Sequence, residues 1–140
     1  MAAFMNYDGL KDSGTFKLDN TTKNSIASNP KNILGKVVAF VAGTTNDGNP
    51  LVGYGTANDA IAGVVTAWDY EETGSQDIIV TVSWNSTFDN IATAATTTTA
   101  VVGAGIAVNG SGGVVTKPEL TNAFCLALHN GKKSCLIRVL

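Results

Sequence analysis

The residues able to do chemistry are few, and three of them sit near the end of the chain. His129 is the one histidine and Cys125 and Cys135 are the two cysteines. A thiol becomes a useful nucleophile when an imidazole within hydrogen-bond reach takes its proton. Here Asn130-Gly131 separates the apolar runs Ala123–Leu128 and Leu136–Leu140, which spells a tight β-hairpin, because both turn residues accept the positive φ of a type I′ turn. That turn predicts a solvated His129 beside the loop, with both thiols several residues down the strands. With Asn130 and Gly131 as the two turn residues, Phe124 faces Ile137 and Leu126 faces Cys135. Phe124, Leu126, Cys135 and Ile137 then share one face, and Cys125, Ala127, Ser134 and Leu136 share the other. The cysteines fall on opposite faces, so buried free thiols are expected rather than a disulfide.

The carboxylates Asp69, Glu71, Glu72 and Asp77 cluster, and a pair of carboxylates at a fixed separation is what glycoside hydrolysis needs. Their alternation with polar neighbours reads instead as a solvated loop. Trp68, Tyr70 and Trp84 have the rings to line a sugar-binding surface, although Trp68 and Trp84 end strands, where packing at the core edge is the commoner role. Trp68, Tyr70, Glu71 and Glu72 thus mark a candidate exposed surface loop. Gly103-Ala104-Gly105 resembles a dinucleotide loop only in part, since Val108 stands where a third glycine is needed and a hairpin follows. Neither zinc-ligand spacing nor a calcium loop is present. Asn20-Thr21-Thr22, Asn85-Ser86-Thr87 and Asn109-Gly110-Ser111 match glycosylation sequons, but Met1–Asn6 lacks the charged start and long apolar core of a signal peptide. The expectation is a protein that is not an enzyme and carries no cofactor and no metal.

Charge narrows the partners. Only 14% of residues are charged, the net charge is -2, and Lys and Arg are scattered, so no nucleic-acid surface is expected. No apolar run reaches the roughly 18 residues of a spanning helix, so no membrane partner is expected either. A chain of 140 residues is most simply one globular unit. Its abundance of Gly, Thr, Ala and Val suits short strands and turns.

The elements follow from pattern. Ile33–Val41, Leu51–Gly55, Ala60–Trp68 and Ile78–Trp84 read as strands, and Ala60–Trp68 is apolar enough to be buried on both faces. Thr87 to Thr99 is ambiguous. Its alanines permit a short helix around Asp89–Ala95 with Thr87 as N-cap, while four threonines at 96–99 favour extended chain. Gly105–Val108 and Val114–Thr116 flank the Gly-rich loop Asn109–Gly113 as a hairpin, and the final hairpin follows Pro118. About eight short strands and no long helix predict an all-β barrel or sandwich, closed by the final hairpin. Its apolar ending, Arg138-Val139-Leu140, is expected to be a strand in a sheet. Residues 1–33 differ. Phe4, Met5, Tyr7, Leu10, Phe16, Leu18 and Ile26 are spread among polar residues without a sustained period, which fits either a loose terminus or an extended arm docking on a neighbour.

The order of segments from Leu34 to Leu140 carries a resemblance. It runs Leu34-Gly35-Lys36-Val37-Val38, Asp59-Ala60-Ile61-Ala62-Gly63-Val64-Val65 and Ile79-Val80-Thr81-Val82, then Gly105 to Val115, Phe124–Leu128 and Leu136-Ile137-Arg138-Val139-Leu140. This resembles the small capsid decoration, or cement, proteins of tailed bacteriophages. In that family a Gly-Val-Val strand, a Gly-rich hairpin and a Leu-Ile-Arg-Val-Leu type of ending recur on a compact barrel resembling a β-clip or β-tulip. The chain departs from that pattern in its longer Ala/Thr-rich stretch at 87–100 and its longer N-terminal segment. Residues 1–33 are expected to form an extended arm on a barrel domain at 34–140. The resemblance implies a virion protein on the outer capsid surface, dimeric or trimeric, that clamps adjacent major capsid subunits. The arm residues Phe4, Met5, Tyr7, Leu10, Phe16 and Leu18 are the expected capsid contacts. The competing expectation is a head-fibre or surface β-domain that holds a host glycan with Trp68, Tyr70 and the acidic loop.

Overall fold

The computed structural model describes residues 12–45, 48–72, 76–89 and 100–129 with 134–140, and for 90–92 the backbone alone. The protein is all-β. Ten strands lie among the described residues: β1 (Ser13–Leu18), β2 (Val37–Thr44), β3 (Pro50–Gly53), β4 (Gly63–Tyr70), β5 (Ile78–Ser83), β6 (Ser86–Ala92), β7 (Ile106–Val108), β8 (Val114–Thr116), β9 (Ala123–His129) and β10 (Ser134–Val139). A single helical turn α1 (Asn20–Ser25) and a 3₁₀ turn at Pro30–Ile33 follow β1.

Strands β1 to β5 close a barrel in the order β1-β3-β2-β4-β5, β6-β10-β9 form a three-stranded sheet, and β7-β8 form a hairpin. β1 completes the ring. It pairs antiparallel with β5, from Ser13 opposite Ser83 to Lys17 opposite Ile79, and parallel with β3 at Lys17–Leu51 and Leu18–Val52. Its Gly14, Phe16 and Leu18 point inward while Ser13, Thr15 and Lys17 do not. This is a strand alternation of period two. Phe16 and Leu18 are only 2% and 1% exposed. The expectation that they face a partner from an extended arm is therefore overturned, and residues 13–33 belong to the barrel. The expected boundary at 33/34 falls inside this unit, because burying Phe16, Leu18, Ile26 and Ile33 requires it.

Two hydrophobic cores meet at a shared wall. Phe16, Leu18, Val38, Val52, Val65, Val80 and Val82 fill the barrel, whereas Val37, Val64, Ile106, Val108, Cys125, Cys135 and Ile137 fill the space between barrel and sheet. Neighbouring residues of β2 and β4 send side chains to the two cores alternately. The double burial expected of Ala60–Trp68 thus holds at Gly63–Val65 and ends at Thr66, beyond which most of β4 is exposed. Gly63 is required at this wall: a Cβ there would run into the Ser83 carbonyl and Val82 Cγ1.

Of the two readings left open for Thr87 to Thr99, extended chain is what forms over 86–92, where β6 pairs with β10, Ile137 opposite Phe88 and Arg138 opposite Thr87. Residues 93–99 lie outside the described residues. Propensity yielded to sheet pairing. The β7–β8 hairpin forms as expected, Ile106 opposite Thr116 and Val108 opposite Val114, with Asn109 Oδ1 accepting the N–H groups of Ser111 and Gly113 at 2.8 and 3.0 Å. The final hairpin forms with another register. Ser134 faces His129 and Cys135 faces Leu128, so four residues separate the strands, and the turn itself lies outside the described residues. A bulge at Leu126 then brings Cys125 opposite Ile137. An extra residue turns the following side chains to the other face, and Cys125, Cys135 and Ile137 all face the core together. The closing role expected of this hairpin belongs to β1 instead.

Candidate functional site

The thiols come together without becoming nucleophiles. Cys125 and Cys135 are free and fully buried. Burial, with Cys125 beside it, pushes the Cys135 thiol up to about 12, and burial also raises Cys125, whose Sγ lies 3.8 Å from the Ala127 carbonyl. Thiols held protonated in an apolar core are inert. Ellman's reagent at about pH 8 is expected to label neither cysteine in the folded protein and both in guanidinium; fast labelling of the folded chain would contradict this core placement.

His129 is half-buried rather than solvated. Its Nε2 lies 2.7 Å from Asp89 Oδ1, without the alignment of a hydrogen bond. Neighbouring Leu128 packs into the core, and alternation places His129 on the opposite face of β9 from the thiols. The geometry brings His129 to a carboxylate on β6, not to a cysteine.

The acidic residues divide. Asp77 meets Lys17 Nζ at 3.0 Å and Lys23 Nζ at 3.1 Å, and Glu71 meets Lys17 at 3.6 Å. The hydrogen bond from Lys17, followed by that from Lys23, holds the Asp77 carboxyl below its ordinary value. Asp77 in turn is the main cause that raises Lys17. These carboxylates pin the β4–β5 end to β1 and α1. Glu72 is exposed. Trp68 and Tyr70 meet edge to face, centroids 5.3 Å apart at 84°, with Trp68 packed against the barrel core and Tyr70 exposed. One ring is thus committed to the core, and the edge-on contact leaves no flat two-ring platform.

The surface feature that sequence reasoning missed is apolar. Val101, Val102 and Leu126 are 58%, 54% and 44% exposed. The segment carrying the valines is fastened to β9 by backbone bonds, Gly103 N–H to Cys125 O at 2.7 Å and Cys125 N–H to Ala104 O at 3.1 Å. Thr116 Oγ1 accepts the Val101 N–H at 2.9 Å. The bulge that buries Cys125 turns Leu126 outward beside this segment. The available signal was Val101-Val102 immediately before Gly103, an apolar pair outside any strand pattern. Of the expected arm contacts, Phe4, Met5, Tyr7 and Leu10 lie outside the described residues.

A scan against protein-family models, a search of curated proteins and a search of solved structures each found no match to the chain.

Proposed function

We propose that this chain is a structural virion protein that binds the outer surface of a phage capsid and stabilises contacts between major capsid subunits. The reading rests on the resemblance carried by Leu34–Leu140 and on one observation above the others: Val101 and Val102 stand exposed on a segment that three hydrogen bonds tie to Thr116 and to Cys125 of β9, where Leu126 is exposed as well. A rigid apolar patch suits permanent burial against a protein surface. Repetition over a shell multiplies a modest contact made by each copy. In this reading Phe4, Met5, Tyr7 and Leu10 contribute further contacts with the major capsid protein, and the chain self-associates as a dimer or trimer.

The test is co-sedimentation with expanded capsids of the virus that encodes it. Wild-type chain is expected to pellet with capsids, and Val101→Asp with Val102→Asp is expected to reduce occupancy at least tenfold, about 1.4 kcal/mol or more, at an unchanged melting temperature. Wild-type chain that stays in the supernatant would overturn the reading. The glycan-holding alternative draws on the exposed ring of Tyr70 beside Trp68, and a saturable tryptophan quench by host glycans, lost in Tyr70→Ala, would favour it.

A further inference from the structure

A cleft of about 490 Å³ opens where α1, β2, the chain after β3 and the β7–β8 turn converge. Its size falls within the roughly 300–1,000 Å³ of small-ligand sites. Three separate segments place hydroxyl-bearing side chains around it: Thr21 and Ser25 from α1, Tyr54 and Thr56 from the chain after β3, and Ser111 from the hairpin turn. Asp19 is the one charged side chain in the lining among the described residues, and its Oδ1 is occupied as the α1 cap by the Thr22 N–H at 3.1 Å. No lysine or arginine lines the cleft among the described residues. Val41 and Ala42 add an apolar wall.

The site is held in shape. The Tyr54 N–H donates to Thr22 Oγ1 at 3.0 Å. Its ring is wedged against the hairpin, since a Cβ on Gly112 would come within 2.9 Å of Tyr54 Cε1 and 3.0 Å of Lys36 Cδ. Burial raises the Tyr54 hydroxyl further above neutrality, so it stays protonated as a donor. Gly110, at φ +91, lets the turn approach until a Cβ would lie 3.4 Å from the Ala57 nitrogen.

We propose that this cleft binds a neutral polyhydroxylated ligand, a saccharide of one or two sugar units. Uncharged hydroxyls on several sides match the hydroxyl rim of a sugar, and an aromatic ring beside an aliphatic wall matches its C–H faces. An anionic ligand such as a phosphate finds no cation here and meets Asp19. The inference is independent of capsid binding, and the cleft shares no residue with the Trp68–Tyr70 pair.

The test is a ¹H–¹⁵N titration of the full chain with maltose, lactose, cellobiose and N,N′-diacetylchitobiose. At least one is expected to shift the amides of Thr21, Ser25, Gly55 and Ser111 saturably, and Tyr70→Ala is expected to leave that response intact. Ala42→Arg and Ser111→Arg each place a long side chain into the cleft from an exposed position, and each is expected to weaken binding at least tenfold. The proposal is overturned if none of the four sugars gives a saturable shift at these amides, or if the response survives both arginine variants.

Discussion

Phe16→Ala is expected to destabilise the protein by about 3–5 kcal/mol, and Leu18→Ala by about 2–5 kcal/mol. Both side chains are almost wholly buried in the barrel core, on the one strand that joins β3 to β5. Truncation opens a cavity where relaxation is hindered by pairing on both sides of the strand. Urea unfolding followed by fluorescence of Trp68 and Trp84, which both pack against this core, measures it. Phe40→Ala supplies the comparison. That ring meets Phe16 edge to face at 5.4 Å but is 54% exposed, so its loss is expected to cost about 1 kcal/mol. Removing residues 2–20 deletes β1 and is expected to abolish the cooperative transition, whereas removing residues 2–11 leaves every described strand in place. A loss below about 1 kcal/mol in Phe16→Ala would show that β1 does not close the barrel.

Gly105→Ala is the second large effect. An added Cβ at Gly105 would run into the Leu120 carbonyl oxygen and come within 2.8 Å of the Lys117 carbonyl. Backbone oxygens cannot step aside as a flexible side chain can. Gly105 also bridges to Phe124, and its carbonyl accepts the Lys117 N–H at 2.8 Å, so a shift here disturbs the junction of β7, β9 and the loop after β8. The expected cost is about 3 kcal/mol or more, at the upper end of overpacking. Gly35→Ala isolates the other role of glycine. Its φ is +79 with nothing within 4 Å of a new Cβ, so only backbone strain of about 1 kcal/mol is expected. Thermal unfolding of both variants checks the contrast; equal midpoints would contradict the close approach at Gly105.

The legible parts of the sequence were those in which one local signal sufficed. Asn109 to Gly113 marked its hairpin because its glycines and the Asn109 side chain build the turn within five residues. β1 was not legible. Only Phe16 and Leu18 alternate as large residues, the third inward position is a glycine, and its partners are distant in sequence. The Asp19-x-x-Thr22 cap was a signal that could have located α1, and with it the end of β1. The final hairpin showed its strands and hid its register, because a bulge at Leu126 and a four-residue connection are settled by how Cys125, Cys135 and Ile137 pack. Of the surface, the acidic residues stood out in the sequence, but their division between ion pairs and solvent depended on Lys17 and Lys23 arriving from β1 and α1.

The ring closed by β1 sets an order of events in time. Gly14 pairs with Val82, 82 − 14 = 68 residues later, whereas Lys17 pairs with Leu51, 51 − 17 = 34 residues later. Doubling the span adds only about 0.6 kcal/mol of closure entropy. During synthesis at about 5–20 residues per second, however, β1 must wait roughly 3–14 s for its principal partner to be polymerised. The β4–β5 pairing is local and can form as soon as its own residues emerge. Until β5 emerges, Phe16 and Leu18 are exposed on a nascent chain, a target for chaperones or for pairing with a neighbouring copy.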